Sequence, residues 1–129
     1  MVLAIDYDQT FSDYPEQFTK VREMFQSIGA EVYLVTARDE ETERIDPKHD
    51  AILSGFDKII YTSGKAKAGF VRADIFIDDS LSNVLKCQKS GLPALLFHTE
   101  KTADFPMFKV FSLNKDEIID SYLFMKKYA

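Results

Sequence analysis

Short apolar runs alternate with helix-type segments along the chain, and this alternation restricts the fold more than any other feature of the sequence. Apolar runs that end in polar residues lie at 1–7, 30–37, 56–62, 74–80 and 92–98. Strands that are apolar throughout are typical of a parallel sheet covered by helices on both faces. We therefore predict an α/β, three-layer Rossmann-like fold with a mostly parallel sheet of five or six strands.

Helix caps and breakers predict where the helices between these runs begin and end. Pro15 starts the first helix and Gly29 stops it. Apolar residues repeat along this helix at Phe18, Val21, Phe25 and Ile28. A short helix is predicted at 65–73, and a longer one has Ser80 as its N-cap and Gly91 as its C-terminal stop.

The length and composition predict a single domain, residues 1–129. The polar segment 38–54 is predicted to be helical in its second half, and the C-terminal part to form a sixth strand at 108–113 and a helix capped by Asn114. The single Cys87 cannot form an internal disulfide, so we expect a reduced, buried thiol.

The charge and the apolar runs also restrict the partners that we expect. No apolar stretch reaches the about 20 residues that span a bilayer, and the start of the chain does not resemble a secretory signal. The formal net charge is −5, which is unsuited to general binding of a DNA duplex. We therefore expect a cytoplasmic protein that does not bind membranes and does not bind DNA in a sequence-specific way.

Acidic residues follow two of the predicted strands at the point where each strand ends. Asp6 and Asp8 follow the first strand, and Asp78 and Asp79 follow the fourth. Because ligands bind beyond the carboxyl ends of parallel strands, we expect these four carboxylates at one edge of the sheet. Four carboxylates brought together repel one another unless a cation lies between them. Oxygen ligands with open positions suit Mg²⁺, so the sequence predicts a magnesium site.

A magnesium site of this kind suits phosphoryl transfer. One aspartate could attack phosphorus as a nucleophile, and a carboxylate two residues further on could move the proton. Thr36 ends the second strand and could hold a phosphate oxygen, and a lysine after the third strand could neutralise charge on the transferring group. Lys65 and Lys67 both stand at that place.

Four segments together resemble the signature motifs of the haloacid dehalogenase superfamily of phosphohydrolases. They are IDYDQTF, YLVTAR, SGKAKAGFV and IFIDDS, in this order. The resemblance covers residues 1 to about 97 and implies a phosphatase domain that uses Mg²⁺. The stretch KAGFVRADIFIDD is similar to the deoxyribonucleotidase branch, and the substrate that this implies is a nucleotide or a phosphorylated nucleic-acid end. Gln9 stands where many members have glycine.

The resemblance also implies roles for individual residues. Asp6 would be the nucleophile and a Mg²⁺ ligand, and Asp8 would be the general acid and base and a ligand through its backbone carbonyl. Asp79 would bind the metal directly, with Asp78 holding a metal-bound water or supporting the lysine. The residues implied for phosphate binding are Thr36, Ala37, Arg38 and Lys67, with Lys65 as the alternative lysine.

The spacing of the motifs leaves no room for the cap domain that restricts substrates in much of this superfamily. Asp8 and Thr36 are separated by 27 residues, and Arg38 and Lys67 by 28. We therefore expect a capless member whose open site suits large substrates such as phosphorylated polymers or proteins, unless a second copy covers it in a homodimer. The partner expected overall is a phosphorylated substrate, either a small molecule or a polymer end.

Two other classes of protein remain open from the sequence. A phospho-signalling receiver shares the length, the acidity and the aspartyl-phosphate chemistry, although its motifs follow another order. A catalytically inactive member could bind phosphoryl groups or Mg²⁺ without turnover, although the second carboxylate, Asp8, would then have little use.

Overall fold

Five parallel strands form one sheet in the computed structural model, which describes residues 1–97. They are β1 (Val2–Asp6), β2 (Glu31–Thr36), β3 (Lys58–Tyr61), β4 (Ile75–Asp78) and β5 (Ala94–Leu96). The strand order is β3-β2-β1-β4-β5, and every neighbouring pair is parallel. The predicted α/β Rossmann-like fold with a parallel sheet is therefore confirmed.

Helices cover both faces of the sheet because successive strand residues point to opposite sides. Leu3 and Ile5 of β1 belong to one buried cluster, and Ala4 to the other. The first cluster is covered by α1 (Pro15–Ser27) and α2 (Asp50–Leu53), and the second by α3 (Leu81–Lys89). Cys87 of α3 is buried in the second cluster, as predicted.

The strand order places a crevice between β1 and β4. The chain runs from β1 to β2 and β3 on one side, then crosses back and continues with β4 and β5 on the other side. Ligands bind at this type of reversal in open parallel sheets, beyond the carboxyl ends of the strands. Asp6 ends β1 and Asp78 ends β4, so the acidic residues flank the reversal.

Some predicted elements are shorter in the structure. The helix predicted at 65–73 is a single 3₁₀ turn, Lys67–Gly69, and the helical part of 38–54 consists of a 3₁₀ turn and the four-residue α2. Ile28 was predicted on the apolar face of α1 but is 73% exposed, because the helix ends at Ser27 and the chain turns at Gly29 with a φ of +88°.

The predicted sixth strand at 108–113 and the closing helix after Asn114 lie outside the described residues. Within residues 1–97, no helix combines the length and the apolar character that crossing a membrane requires.

The N-cap of α3 holds the segment that follows the paired aspartates. The Ser80 hydroxyl accepts a hydrogen bond from the backbone N–H of Asn83 at 3.3 Å, as the sequence predicts. We expect Ser80→Ala to lower the free energy of unfolding by about 1 kcal/mol, because the N–H loses its partner. Chemical denaturation measures this change, with the exposed Ser82→Ala in the same helix as control. Equal losses in both variants would contradict the capping role.

Candidate active site

Three buried aspartates form the centre of the site. Asp6, Asp78 and Asp79 each place a carboxylate oxygen within 4.8 Å of those of the other two. Their exposed fractions are 3%, 0% and 9%. The sheet register brings them together, since β1 and β4 are hydrogen-bonded neighbours that end at the same edge. The sequence analysis expected four carboxylates at this edge, and three of them, without Asp8, form this cluster.

One lysine enters this cluster from the turn after β3. The Lys67 ammonium donates hydrogen bonds to Oδ1 of Asp6 and, at 2.9 Å, to Oδ2 of Asp78. Lys67 is 7% exposed, whereas Lys65 is exposed to solvent and its ammonium lies 5.9 Å from the centre of the Phe70 ring. Of the two lysines that the sequence left open, Lys67 is therefore the one in contact with Asp6.

Burial and the neighbouring charges shift the pKa values of Asp6, Asp79 and Lys67. Burial, followed by repulsion from Asp78, raises the pKa of Asp6 well above its usual value and also raises that of Asp79. Burial by itself lowers the pKa of Lys67, but the carboxylates of Asp6 and Asp78 outweigh burial and the pKa is raised. Three carboxylates facing one ammonium leave an excess of negative charge inside the protein.

Both oxygens of Asp78 are already held by the protein. Oδ1 accepts the backbone N–H of Ser80 at 2.8 Å, and Oδ2 accepts the Asn83 side-chain amide at 3.1 Å in addition to Lys67. Asp78 is therefore held in place where it accepts a hydrogen bond from Lys67, and support of the lysine is one of the two roles that the resemblance implies for it.

Thr10 links the other two carboxylates. Its hydroxyl oxygen lies 3.1 Å from Oδ2 of Asp6 and 3.1 Å from Oδ1 of Asp79. Because the hydroxyl has one proton, it donates to one of these carboxylates at a time. Thr10 is completely buried, so the link is shielded from water.

Asp8 lies outside the three-aspartate cluster and is paired with Arg38. The Arg38 guanidinium donates from Nη2 to Oδ1 at 2.7 Å and from Nε to Oδ2 at 3.1 Å, while the Thr36 hydroxyl donates to Oδ2 at 3.3 Å. This pairing raises the pKa of Arg38, chiefly through the hydrogen bond to Asp8. Ala37 lies beside the pair on a concave surface that Asp8 and Arg38 also line.

The backbone turns sharply between Asp6 and Thr10. Gln9 has a φ of +64°, which is the left-handed region that glycine adopts most readily. Gln9 therefore has the backbone conformation that a glycine would favour, although it is not a glycine. Asp8 is close to Asp6 in sequence, but its carboxylate is paired with Arg38 and does not belong to the three-aspartate cluster.

The donor set fits a divalent cation with oxygen ligands. Asp6 and Asp79 have raised pKa values that a nearby cation would lower, because it favours their ionised forms. Carboxylates with few other protein ligands are typical of Mg²⁺ sites. The residues that would hold the ion are Asp6 and Asp79, with Asp78 adding negative charge, and with the carbonyl of Asp8 as the resemblance implies.

Two residues that contact the cluster were not among the site residues predicted from the sequence. Thr10 is part of the DQT segment, so the sequence contained a signal for it. Asn83 had no such signal, because its contact with Asp78 depends on the first turn of α3.

Tyr7 and His49 form a further buried pair beside the site. The Tyr7 hydroxyl lies 2.7 Å from Nδ1 of His49, and the centre of the Tyr7 ring lies 5.2 Å from the Arg38 guanidinium.

No family model, curated protein or solved structure matches this chain. The relation to the haloacid dehalogenase superfamily therefore stays a prediction from the four motifs.

The raised pKa values predict a pH dependence of stability in the absence of metal. Between the ordinary aspartate value of 3.8 and the raised folded values, the folded protein binds more protons at Asp6 and Asp79 than the unfolded chain does. Stability is therefore greatest at the acidic end of this window and falls as the pH rises through it. We expect the melting temperature in EDTA to fall as the pH is raised from about 4 toward neutrality.

A variant of Asp79 and a control at an exposed aspartate separate this effect from general charge effects. Asp79→Asn should flatten the decline, whereas Asp13→Asn, at an exposed position, should leave it as in the wild type. Asp39, Asp46 and Asp57 have lowered pKa values, so their contributions are lost only as the pH falls below 3.8. A melting temperature in EDTA that rises from pH 4 to neutrality would contradict the prediction.

Proposed function

We propose that this protein is a Mg²⁺-dependent phosphomonoester hydrolase that acts through an aspartyl-phosphate at Asp6. The observation that carries the proposal is the contact of Asp6 with a buried lysine and two further buried aspartates at the reversal of the sheet. A second carboxylate, Asp8, lies nearby in sequence with a side chain that is 46% exposed. These are the groups that a nucleophile and a proton-transfer partner require.

The proposed reaction proceeds in two displacements. A carboxylate oxygen of Asp6 attacks phosphorus, the bond to the leaving-group oxygen breaks, and that oxygen takes a proton from Asp8. In the second displacement a water attacks phosphorus and gives its proton to Asp8, and the bond between phosphorus and Asp6 breaks. Asp8 is restored to its protonated form, Asp6 is released as a carboxylate, and inorganic phosphate leaves.

The other polar residues support these displacements. Lys67 orients the Asp6 carboxylate and places positive charge beside the transferring group. Bound Mg²⁺ would supply charge neutralisation that lets an anionic phosphate approach an anionic carboxylate. Asp78 holds the lysine, and Thr10 holds Asp6 from its other oxygen.

Arg38 gives Asp8 a defined place at the rim of the site. Its contacts to both Asp8 oxygens anchor the carboxylate, and its own guanidinium is supported by the Tyr7 ring and by the Arg44 carbonyl at 3.2 Å. The guanidinium is also available to a phosphate oxygen, since its side chain is 32% exposed. Arg38 can therefore guide the substrate toward the carboxylate that transfers the proton.

The strand order favours this proposal over a receiver module. Receiver domains have the order 2-1-3-4-5, in which the first strand is flanked by the second and the third. In this chain β1 is flanked by β2 and β4. The substrate we propose is a nucleotide or a phosphorylated nucleic-acid end, on the strength of the resemblance around Lys67, and we propose that the site lacks a cap domain.

A substrate panel tests the proposal. Phosphate release should be measured for nucleotides, sugar phosphates, phosphopeptides and oligonucleotides with 5′- or 3′-phosphates, each in Mg²⁺ and in EDTA. We expect release that requires Mg²⁺ and is fastest with nucleotides or oligonucleotide ends. A stable phosphoprotein formed with acetyl phosphate, without release from any substrate, would overturn hydrolysis in favour of a receiver. Binding of Mg²⁺ without any turnover would indicate an inactive member.

A further inference from the structure

A small cavity borders the proposed active site on the side of α3. Its volume is about 190 Å³, and its lining includes Lys65, Lys67, Asn83 and Lys86. The turn after β3 supplies the first two of these residues, and α3 supplies the others. The volume is below the 300 to 1,000 Å³ of typical pockets for drug-sized ligands, so the cavity suits one small group.

The charged residues that line this cavity are all lysines. Three lysines line it, and none of its lining residues is acidic. The Lys67 charge is neutralised by Asp6 and Asp78. Within residues 1–97, Lys65 and Lys86 have no carboxylate within 4.0 Å. Two exposed lysines that form no ion pair within residues 1–97 therefore line the cavity, in a protein whose net charge is −5.

The cavity and the proposed active site share residues. Lys67 lines the cavity and also contacts Asp6, and Asn83 lines it and also contacts Asp78. Ala37 lies between this cavity and the concave surface of Asp8 and Arg38, since it lines both. A group in the cavity would therefore be a close neighbour of a phosphate placed at Asp6.

We propose that this cavity binds a second phosphate group of the same substrate. The inference rests on the proposed function, since it takes Asp6 as the place of the reacting phosphate. Lysine is suited to this task because its compact ammonium binds phosphate as a point charge on a flexible stem. The second group is either a phosphate monoester, as in a nucleoside bisphosphate, or the internucleotide diester of a phosphorylated strand end.

Kinetic discrimination between matched substrates tests the proposal. The substrates are a nucleoside 5′-monophosphate, the corresponding 3′,5′-bisphosphate and a 5′-phosphorylated dinucleotide, with products identified by chromatography. We expect a higher kcat/KM for the substrates with two phosphates, and a decrease of this preference by about fivefold in Lys65→Gln and in Lys86→Gln. Lys89→Gln is the matched control, because Lys89 is exposed in the last turn of α3 and does not line the cavity.

The two sources of the second phosphate give different results. A preference for the dinucleotide as well as the bisphosphate identifies a diester in the cavity, and a preference for the bisphosphate alone identifies a monoester. Equal kcat/KM for one-phosphate and two-phosphate substrates in the wild type would overturn the proposal. Equal decreases in Lys86→Gln and Lys89→Gln would also overturn it, because they would indicate a general charge effect.

A binding measurement keeps this inference separate from the proposed hydrolysis. The bisphosphate is titrated calorimetrically in EDTA into the wild type, Lys86→Gln and Lys89→Gln. If no substrate releases phosphate, the proposed function fails, and the titration still decides about the cavity. A Kd about fivefold higher for Lys86→Gln than for Lys89→Gln supports the cavity as a phosphate site, whereas equal Kd values, or no measurable binding to the wild type, overturn it.

Discussion

Asp6→Asn is expected to lower Mg²⁺-dependent phosphate release by at least about 10³-fold, because an amide cannot act as the attacking carboxylate. The substitution preserves the size of the side chain, and an amide oxygen can still accept a hydrogen bond from Thr10 or Lys67. The loss should therefore be one of chemistry and not of folding. Steady-state kcat on the best substrate of the panel measures it, and circular dichroism checks that the fold is retained.

Two further variants make this result specific. Asp74→Asn changes a carboxylate just before β4, where Oδ2 accepts the Val2 backbone N–H, and should leave kcat within about twofold of the wild type. Asp8→Asn should lower kcat by about 10² to 10⁴-fold, in accord with the loss of one proton-transfer group. Acid quenching during turnover should trap phosphate on the wild-type protein and none on Asp6→Asn. A phosphorylated Asp6→Asn would show that another residue is the nucleophile.

Lys67→Met is expected to reduce the free energy of unfolding by about 3 to 5 kcal/mol in EDTA. It removes the only ammonium in contact with Asp6 and Asp78 in the described part of the chain and leaves two buried carboxylates without that partner. Methionine is similar in length but carries no charge. We expect Mg²⁺ to restore part of the lost stability, because a cation held by the aspartates compensates the same charge. Chemical denaturation in EDTA and in Mg²⁺ measures both effects.

The activity of the same variant provides a second readout. Phosphate release should fall by about 10² to 10³-fold even where Mg²⁺ restores folding, since positive charge is missing beside the transferring phosphate. Lys65→Met is the control for stability, because Lys65 is exposed and its loss should change the free energy of unfolding by no more than about 0.5 kcal/mol. Equal stability losses in the two lysine variants, or none in Lys67→Met, would contradict the role of the buried ammonium.

The sequence predicted the convergence of Asp6, Asp78 and Asp79 for a physical reason. Each follows an apolar strand, and parallel strands bring their carboxyl ends to one edge whatever their order in the sheet. The order itself could not be predicted, since the apolar pattern is the same for a strand at any position. Lys65 and Lys67 stayed alternatives for a related reason. The 3₁₀ turn that buries Lys67 has no distinctive sequence pattern.

Side-chain partners across the sheet edge were the least predictable part of the site. The pairing of Asp8 with Arg38 joins the turn after β1 to the segment after β2. The contact between Asn83 and Asp78 depends on where α3 begins. Such contacts are determined by backbone angles within single turns, which residue type restricts only weakly.

Because β1 lies between β2 and β4, the candidate site depends on the packing of several strands. Its residues are distributed from Asp6 to Asn83, and each reaches the centre only when its own strand or turn has docked against a neighbour. No contiguous fragment shorter than this span contains the full set of groups. The site is therefore complete only when β1, β4, the turn after β3 and the first turn of α3 are all in place, so its integrity reports on the native state.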